Sequence, residues 1–253
     1  METYAGFAEV YDLFMEEVPY KKWAALLNDI LKKNGIEKEL VLELGCGTGN
    51  ITQLLAGYGY DMIGIDNSEE MLMQAMKKKE EKEYDILYLL QDMREFELYG
   101  TVKAVVSVCD SVNYILEKEE LLEVFKLVNN YLDPEGLFIF DFNTEYKYKE
   151  QIGGSTIAEN REEGSFIWEN EYDADEKINE YVLTLFIRTE EELYKKYEEV
   201  HYQRAYTLEE MKRLIERAGM EFVEAFDGEI GNEPTDESER IYMIAKEKGK
   251  KNV

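Results

Sequence analysis

The sequence predicts an α/β protein with a mostly parallel, seven-stranded sheet, helices on both its faces, and an antiparallel β-sheet inserted late in the chain. Three observations lead there. Short apolar runs alternate with helically spaced apolar stripes through the first two-thirds of the chain, the pattern of strands buried on both sides. After Asn143 the rhythm changes to the polar–apolar alternation of antiparallel strands. The 253 residues, 45% of them apolar, are enough to bury a core.

The elements follow in order. Trp23, Leu26, Leu27, Ile30 and Leu31 recur at helical spacing and mark the first long helix. Leu40–Leu44 is a short apolar strand that runs into glycines, after which Ile51, Leu54 and Leu55 restart a helix. Asp61–Asp66 reads as the second strand. Ser68 then caps a helix bearing Met71, Leu72, Ala75 and Met76, with Glu69 and Glu70 in the first turn, where the helix dipole favours acids. Further strands read at Ile86–Leu90, Lys103–Cys109 and Gly136–Phe142. Between the last two, Leu121, Leu122, Phe125, Val128 and Leu132 mark a helix that stops at the turn Asp133-Pro-Glu-Gly136. The inserted segment shows strands at Phe166–Asp173, Lys177–Arg188 and Leu193–Tyr206, a meander. Thr207 with Glu210 forms a capping box for a helix ending at Gly219, and two strands near Met220–Phe226 and Arg240–Lys246 complete the sheet. The expected division is a core of residues 1–143 and 207–253, with an insert of residues 144–206.

Charge excludes several classes. The chain holds 56 Asp plus Glu against 29 Lys plus Arg, a net charge of −27. That argues against a nucleic-acid backbone, whose counterions are displaced by Lys and Arg, and against an anionic membrane surface. The beginning has no basic segment before an apolar stretch, so no signal peptide is read there. Two distant cysteines, Cys46 and Cys109, and one histidine, His201, offer neither a disulfide framework nor a metal site. A reducing cytoplasm fits this composition, and no metal is expected.

Three successive strand ends carry chemistry. After the first comes Gly45-Cys-Gly-Thr-Gly49, with Glu43 just before it: a strand stops, glycines recur at alternate positions, and a helix begins. Such a loop lets backbone approach a ligand where a Cβ would clash, at the sheet edge where open α/β folds bind ligands. The dinucleotide spacing would need glycine where Asn50 stands, and the phosphate-loop Gly-Lys-Ser/Thr is absent. Asp66 closes the second strand about twenty residues after Gly45, where an acid can bind both hydroxyls of a ribose. Gln91-Asp92-Met93 follows the third, where Asp92 can accept from an adenine amino group beside the Met93 amide. Singly, each acid is more often a cap or turn residue.

On Glu43–Gly49, Ile65–Leu72, Gln91–Met93 and the Asp133–Gly136 turn, the chain resembles the class I S-adenosylmethionine-dependent methyltransferases over nearly its whole length. The resemblance implies a Rossmann-like core with a β lid. It implies that Glu43, Gly45, Cys46, Gly47 and Gly49 hold the methionine part of S-adenosylmethionine, Asp66 with Asn67 the ribose, and Asp92 with Met93 the adenine. Tyr4 to Asp12 is similar to the segment that folds over the cofactor in the small-molecule branch, with Tyr11 as the contact. S-adenosylhomocysteine would be the product.

Methyl transfer from a sulfonium is an in-line displacement that needs placement and exclusion of water. Asp110, Asn113 and Tyr114, past the fourth strand, and Asn143, past the fifth, border the crevice where the methyl should point. Asp110, also expected among the cofactor-binding residues, either orients or deprotonates the acceptor or only caps a turn. Tyr114 lines the site or packs in the core. His201 is the sole neutral-pH base candidate, or a structural strand residue; it shares a face with Glu199 and Gln203, opposite Tyr202, Arg204 and Tyr206. Trp168, with Tyr172 and Tyr181, can form an acceptor cage for a cationic amine or simply pack the small sheet. The expected enzyme moves a methyl group to nitrogen or oxygen of a small-molecule acceptor, as a monomer or homodimer. The alternatives are a tRNA-modifying enzyme, using the same cofactor or a carboxylated analogue, and a non-catalytic cofactor-binding regulator.

Overall fold

The computed structural model describes residues 8, 11–189, 193–228 and 230–250. The segment Tyr4–Phe7 and the pair Glu9 and Val10, where the cofactor-covering segment is expected to begin, lie outside the described residues. Five parallel strands form most of the main sheet: β1 (Leu40–Leu44), β2 (Asp61–Asp66), β3 (Ile86–Leu90), β4 (Val102–Ser107) and β5 (Leu132–Asn143). Two antiparallel strands, β10 (Met220–Asp227) and β11 (Arg240–Glu247), extend it on the β5 side. The strand order is β10-β11-β5-β4-β1-β2-β3, so the order reverses between β1 and β4 and opens a crevice at their carboxyl ends.

Successive residues of a strand point to opposite faces, and here both faces are dry. Leu42, Val105, Phe138 and Phe140 pack under α5 (Lys118–Tyr131) and α6 (Leu208–Arg217), on Leu121, Phe125, Met211 and Leu214. Val41, Ala104, Val106 and Ile139 pack on the other side against α2 (Tyr20–Lys33) and α3 (Asn50–Tyr58), on Leu27, Leu31, Ile51 and Leu55. Between β2 and β3 runs α4 (Glu69–Lys82), capped by Ser68, whose hydroxyl accepts from the Met71 amide. Thr207 and Glu210 form the reciprocal capping box of α6. Several boundaries shift by a residue or two and one by more: Leu132, read as the last apolar position of the helix, begins β5. The Asp133–Gly136 turn is absorbed into β5 as a bulge: Glu135 takes φ 60°, and the register against β4 shifts between Val102 and Ala104.

The second sheet is antiparallel, in the order β6 (Thr156–Asn160), β7 (Gly164–Asp173), β8 (Ile178–Arg188) and β9 (Tyr194–Arg204). Polar, largely exposed β6 gave no sequence signal. A parallel bridge between Thr144 and Tyr206 closes the neck of this segment. Tyr206 does not share the outer face with Tyr202: it is fully buried, and its hydroxyl donates to the Ile115 carbonyl at 2.5 Å. A short helix, α1 (Tyr11–Phe14), lies between the two sheets, with Phe14 edge-to-face on Phe166 of β7 at 5.1 Å.

Candidate active site

A cavity of about 560 Å³ opens at the carboxyl ends of β1 and β4, within the size range of small-ligand pockets. Its floor begins with the glycine loop. Gly45 and Cys46 both donate their amides to the Ile65 carbonyl, at 2.8 and 3.0 Å, which turns the chain back over β2. Gly45 takes φ 69°, and a Cβ there would stand 2.6 Å from the Ser111 hydroxyl. Gly47, at φ 52°, has no atom within 4 Å of where its Cβ would stand. The first glycine therefore serves close packing, whereas the second leaves an open cradle. Gly49, also left-handed, starts α3.

The Asp66 carboxylate accepts from the Gly47 amide at 2.8 Å on one oxygen and from the Ser68 amide at 2.9 Å on the other. Burial pushes its pKa up while these amides oppose the shift. Glu43, under the loop, is 3% exposed and accepts from the Thr52 hydroxyl. Burial, with the Asp66 charge adding to it, pushes Glu43 up to about 8. Asp92 is engaged by Arg94, whose Nη2 donates to it at 2.6 Å and holds it below the ordinary carboxylate range. Asn67, Asp92 and Met93 all line the cavity with Glu43, Cys46, Gly47 and Asp66. So does Tyr11, whose hydroxyl accepts from Tyr20 at 3.4 Å.

Asp12, beside Tyr11, carries no motif that marks it in the sequence. Its carboxylate accepts from the Thr48 hydroxyl at 2.7 Å, the Asn50 amide at 2.8 Å and the Lys78 ammonium at 2.7 Å. It ties α1 to the glycine loop and to α4. On its far side, α1 accepts from Arg161, which bonds the Leu13 carbonyl and pairs with Glu16 at 2.9 Å. No local sequence pattern reveals a clasp assembled from residues 36 and 66 positions apart.

The other half of the cavity is polar and tightly coupled. Cys109 and Asp110 both take left-handed backbone, at φ 63° and 53°. Buried Asp141 holds them there by accepting the Cys109 amide at 3.2 Å and the Asp110 amide at 2.7 Å. Arg240 bridges Asp141 at 2.7 Å and Asp110 at 2.6 Å, and its guanidinium lies 5.3 Å over the Trp23 ring. Burial opposes the Arg240 charge, but these two carboxylates override burial and push its pKa up. Gln203 of β9 donates to the second Asp110 oxygen at 2.7 Å. Both oxygens of Asp110 are thus engaged, which suits orientation better than deprotonation.

The remaining acceptor-side residues separate. Tyr114, Asn143 and Trp168 line the cavity. Asn113 does not, which corrects the expectation that it touches an acceptor. It is fully buried, donating to the carbonyls of Asn143 and Arg204 at 3.0 and 2.8 Å and accepting from the Asn143 amide at 2.9 Å. It staples the two ends of the second sheet's neck. His201 also sits behind the wall rather than on it, 2% exposed. Its ring stacks on Tyr181 at 4.6 Å, with Nδ1 3.4 Å from the Tyr114 hydroxyl and Nε2 3.3 Å from Glu199. Tyr114 and Tyr181 hydroxyls lie 2.5 Å apart, and Trp168 meets Tyr181 edge-to-face at 5.4 Å. Tyr172 is off the wall, stacked on Tyr148 at 6.3 Å. Among the described residues no cluster of His, Cys, Asp or Glu is placed to hold a metal, and no helix is long and apolar enough to cross a membrane.

Comparison with known proteins bears on the same residues. A family model described as "Methyltransferase domain" matches residues 41–136, which hold the glycine loop, Asp66 and Asp92. The chain is 37% identical over 243 residues to "Putative methyltransferase YqeM" of Bacillus subtilis, covering 96% of each chain. A solved S-adenosylmethionine-dependent methyltransferase from Clostridium acetobutylicum superposes with a TM-score of 0.88 at 29% identity, covering 97% of this chain and 99% of that one. Over 136 residues, 53% of this chain and 56% of the relative, it is 31% identical to dTDP-3-amino-3,4,6-trideoxy-alpha-D-glucopyranose N,N-dimethyltransferase of Streptomyces venezuelae.

Proposed function

The chain belongs to the S-adenosylmethionine-dependent methyltransferases, and we propose that it transfers the methyl group to nitrogen or oxygen of a small-molecule acceptor in the cytoplasm. The observation that carries the small-molecule reading is the size and lining of the cavity: α1 and the second sheet contribute walls to a space of about 560 Å³ that runs from Asp66 to Trp168. The Streptomyces relative named for an amino-sugar acceptor supports it. Two free cysteines and a net charge of −27 fit a reducing compartment and an acceptor other than a nucleic-acid backbone.

The residues fit the cofactor. The open side of Gly47 leaves room at the loop, Asp66 can accept from ribose hydroxyls, and Asp92 with Met93 lies toward the adenine end. Tyr11 would cover it, and Glu43, Gly45, Cys46 and Gly49 would shape the methionine end. Bound there, S-adenosylmethionine supplies an electrophilic methyl group on a sulfonium. The chain's own part is placement. Asp110, fixed by Arg240 and Gln203, orients the acceptor; Asn143 and Trp168 bound its site; residues 144–206 exclude water over it. Tyr114 takes the acceptor's proton as it passes its own to His201 Nδ1, and Glu199, at His201 Nε2, orients that ring.

The test supplies methyl-labelled S-adenosylmethionine with a panel of small amines and alcohols and, separately, with tRNA. Label in a small molecule supports the reading. Label in tRNA alone, or in neither while the cofactor still binds, overturns it in favour of a tRNA-modifying or a non-catalytic protein.

A further inference from the structure

Among the described residues three cations line the cavity: Arg94, Lys147 and Arg240. Arg94 is paired with Asp92 and Glu120, at 2.6 and 3.4 Å, and Arg240 with Asp110 and Asp141. Lys147 is different. Its ammonium has one hydrogen bond, to Asn143 Oδ1 at 3.1 Å, and among the described residues no carboxylate within 4 Å. An ammonium carries three donors, and removing it from water without a counter-charge is costly. Among the described residues no acid forms a direct ion pair with it.

Its place narrows what would complete it. Lys147 opens the helical turn Lys147–Ile152, four residues past β5, and β5 lies three strands from β2, which carries Asp66. Lys147 therefore belongs to the acceptor half of the cavity, whose covering wall is apolar and aromatic: Phe166, Trp168, Tyr181 and Leu183. We propose that Lys147 anchors an anionic group, a carboxylate or a phosphate ester, on the small-molecule acceptor. This rests on the methyltransferase reading above and adds the acceptor's charge to it. It also disfavours the cationic-amine cage, since a cation between Trp168 and Tyr181 would share the acceptor half of the cavity with Lys147. Burial and the Arg240 charge push the Lys147 pKa down; Asp110, Asp141 and Glu239 oppose that shift. An arriving anion would raise it again.

The test uses the protein saturated with S-adenosylhomocysteine and four ring probes of similar size: benzoate, phenyl phosphate, benzyl alcohol and benzylamine. Calorimetry should show at least one anion bound more tightly than the alcohol and the amine. Lys147→Gln should weaken that anion about tenfold or more, as for a lost charged hydrogen bond, with Lys147→Arg restoring part of it. S-adenosylhomocysteine affinity should be unchanged in Lys147→Gln, which also shows that the variant folds. Equal binding of anion and alcohol, preference for benzylamine, or anion binding indifferent to Lys147→Gln would overturn the proposal. So would a tenfold loss of S-adenosylhomocysteine affinity in Lys147→Gln, which would give Lys147 to the cofactor's own carboxylate. Failure of the native protein to bind S-adenosylhomocysteine at all would strike the methyltransferase reading instead.

Discussion

Glu43 shows how far one residue departs from its behaviour in water. Burial and Asp66 raise it from an ordinary 4.5 to about 8. An acid whose folded pKa lies above its unfolded one binds more protons when folded, so its contribution to stability falls as pH rises from about 4.5 to about 8. Urea unfolding of the ligand-free protein across that window should show stability falling with pH, and falling less steeply in Glu43→Gln. Equal slopes would mean Glu43 is ionised throughout. His201 offers a second reading at this scale, because it is the chain's one histidine and its two ring nitrogens can be followed by NMR without overlap. Its partners fit the tautomer with the proton on Nε2, donating to Glu199 while Nδ1 accepts from Tyr114. Glu199→Gln should shift the ring-nitrogen resonances of His201 towards the Nδ1-protonated tautomer, because an amide oxygen is a weaker acceptor than a carboxylate. Unchanged ring-nitrogen resonances would sever Glu199 from the Tyr114 site. The glycine loop, Asp66 and Asp92 were legible in the sequence because their spacing is local to consecutive strand ends. Arg240, Asp141, Gln203 and Lys147 were not, because each meets Asp110 or the cavity only through sheet pairing or a turn more than thirty positions away.

Among the elements, α1 decides access. It is four residues long and cannot hold its own helical form, so its place depends on side chains at both ends. Asp12 fastens it to Thr48, Asn50 and Lys78; Phe14 and Arg161 fasten it to the second sheet. Both tryptophans, Trp23 and Trp168, line the cavity beneath it, so their fluorescence reports its contents. Asp12→Asn should speed release of S-adenosylhomocysteine about tenfold in stopped-flow fluorescence, as expected for loss of a charge-assisted contact. An unchanged off-rate would mean that the clasp does not govern exit. The strands and helices of the core were readable because apolar periodicity is strong when both faces of a sheet are covered. The second sheet was readable in only three of its four strands, β7, β8 and β9. Its edge strand β6, Thr156–Asn160, has no buried face and so leaves no apolar pattern. The neck staple by Asn113 was missed because a fully buried asparagine has the same letter as a ligand-facing one.

At the scale of the whole molecule, a net charge of −27 and a cavity that gathers Arg94, Lys147 and Arg240 belong together. The acidic surface sets solubility and disfavours polyanions, while three of the 29 basic residues stand on the cavity wall. The sheet's reversal between β1 and β4 then fixes which acids matter: those at strand ends, with Asp66 foremost. Calorimetric titration of S-adenosylhomocysteine and of NAD into the native protein and into Asp66→Ala tests this most directly. The expected result is tight binding of S-adenosylhomocysteine, no heat with NAD, and a loss of about tenfold or more in Asp66→Ala, where two hydroxyls lose a charged acceptor. Binding of NAD in place of S-adenosylhomocysteine, or an affinity untouched by Asp66→Ala, would contradict the account.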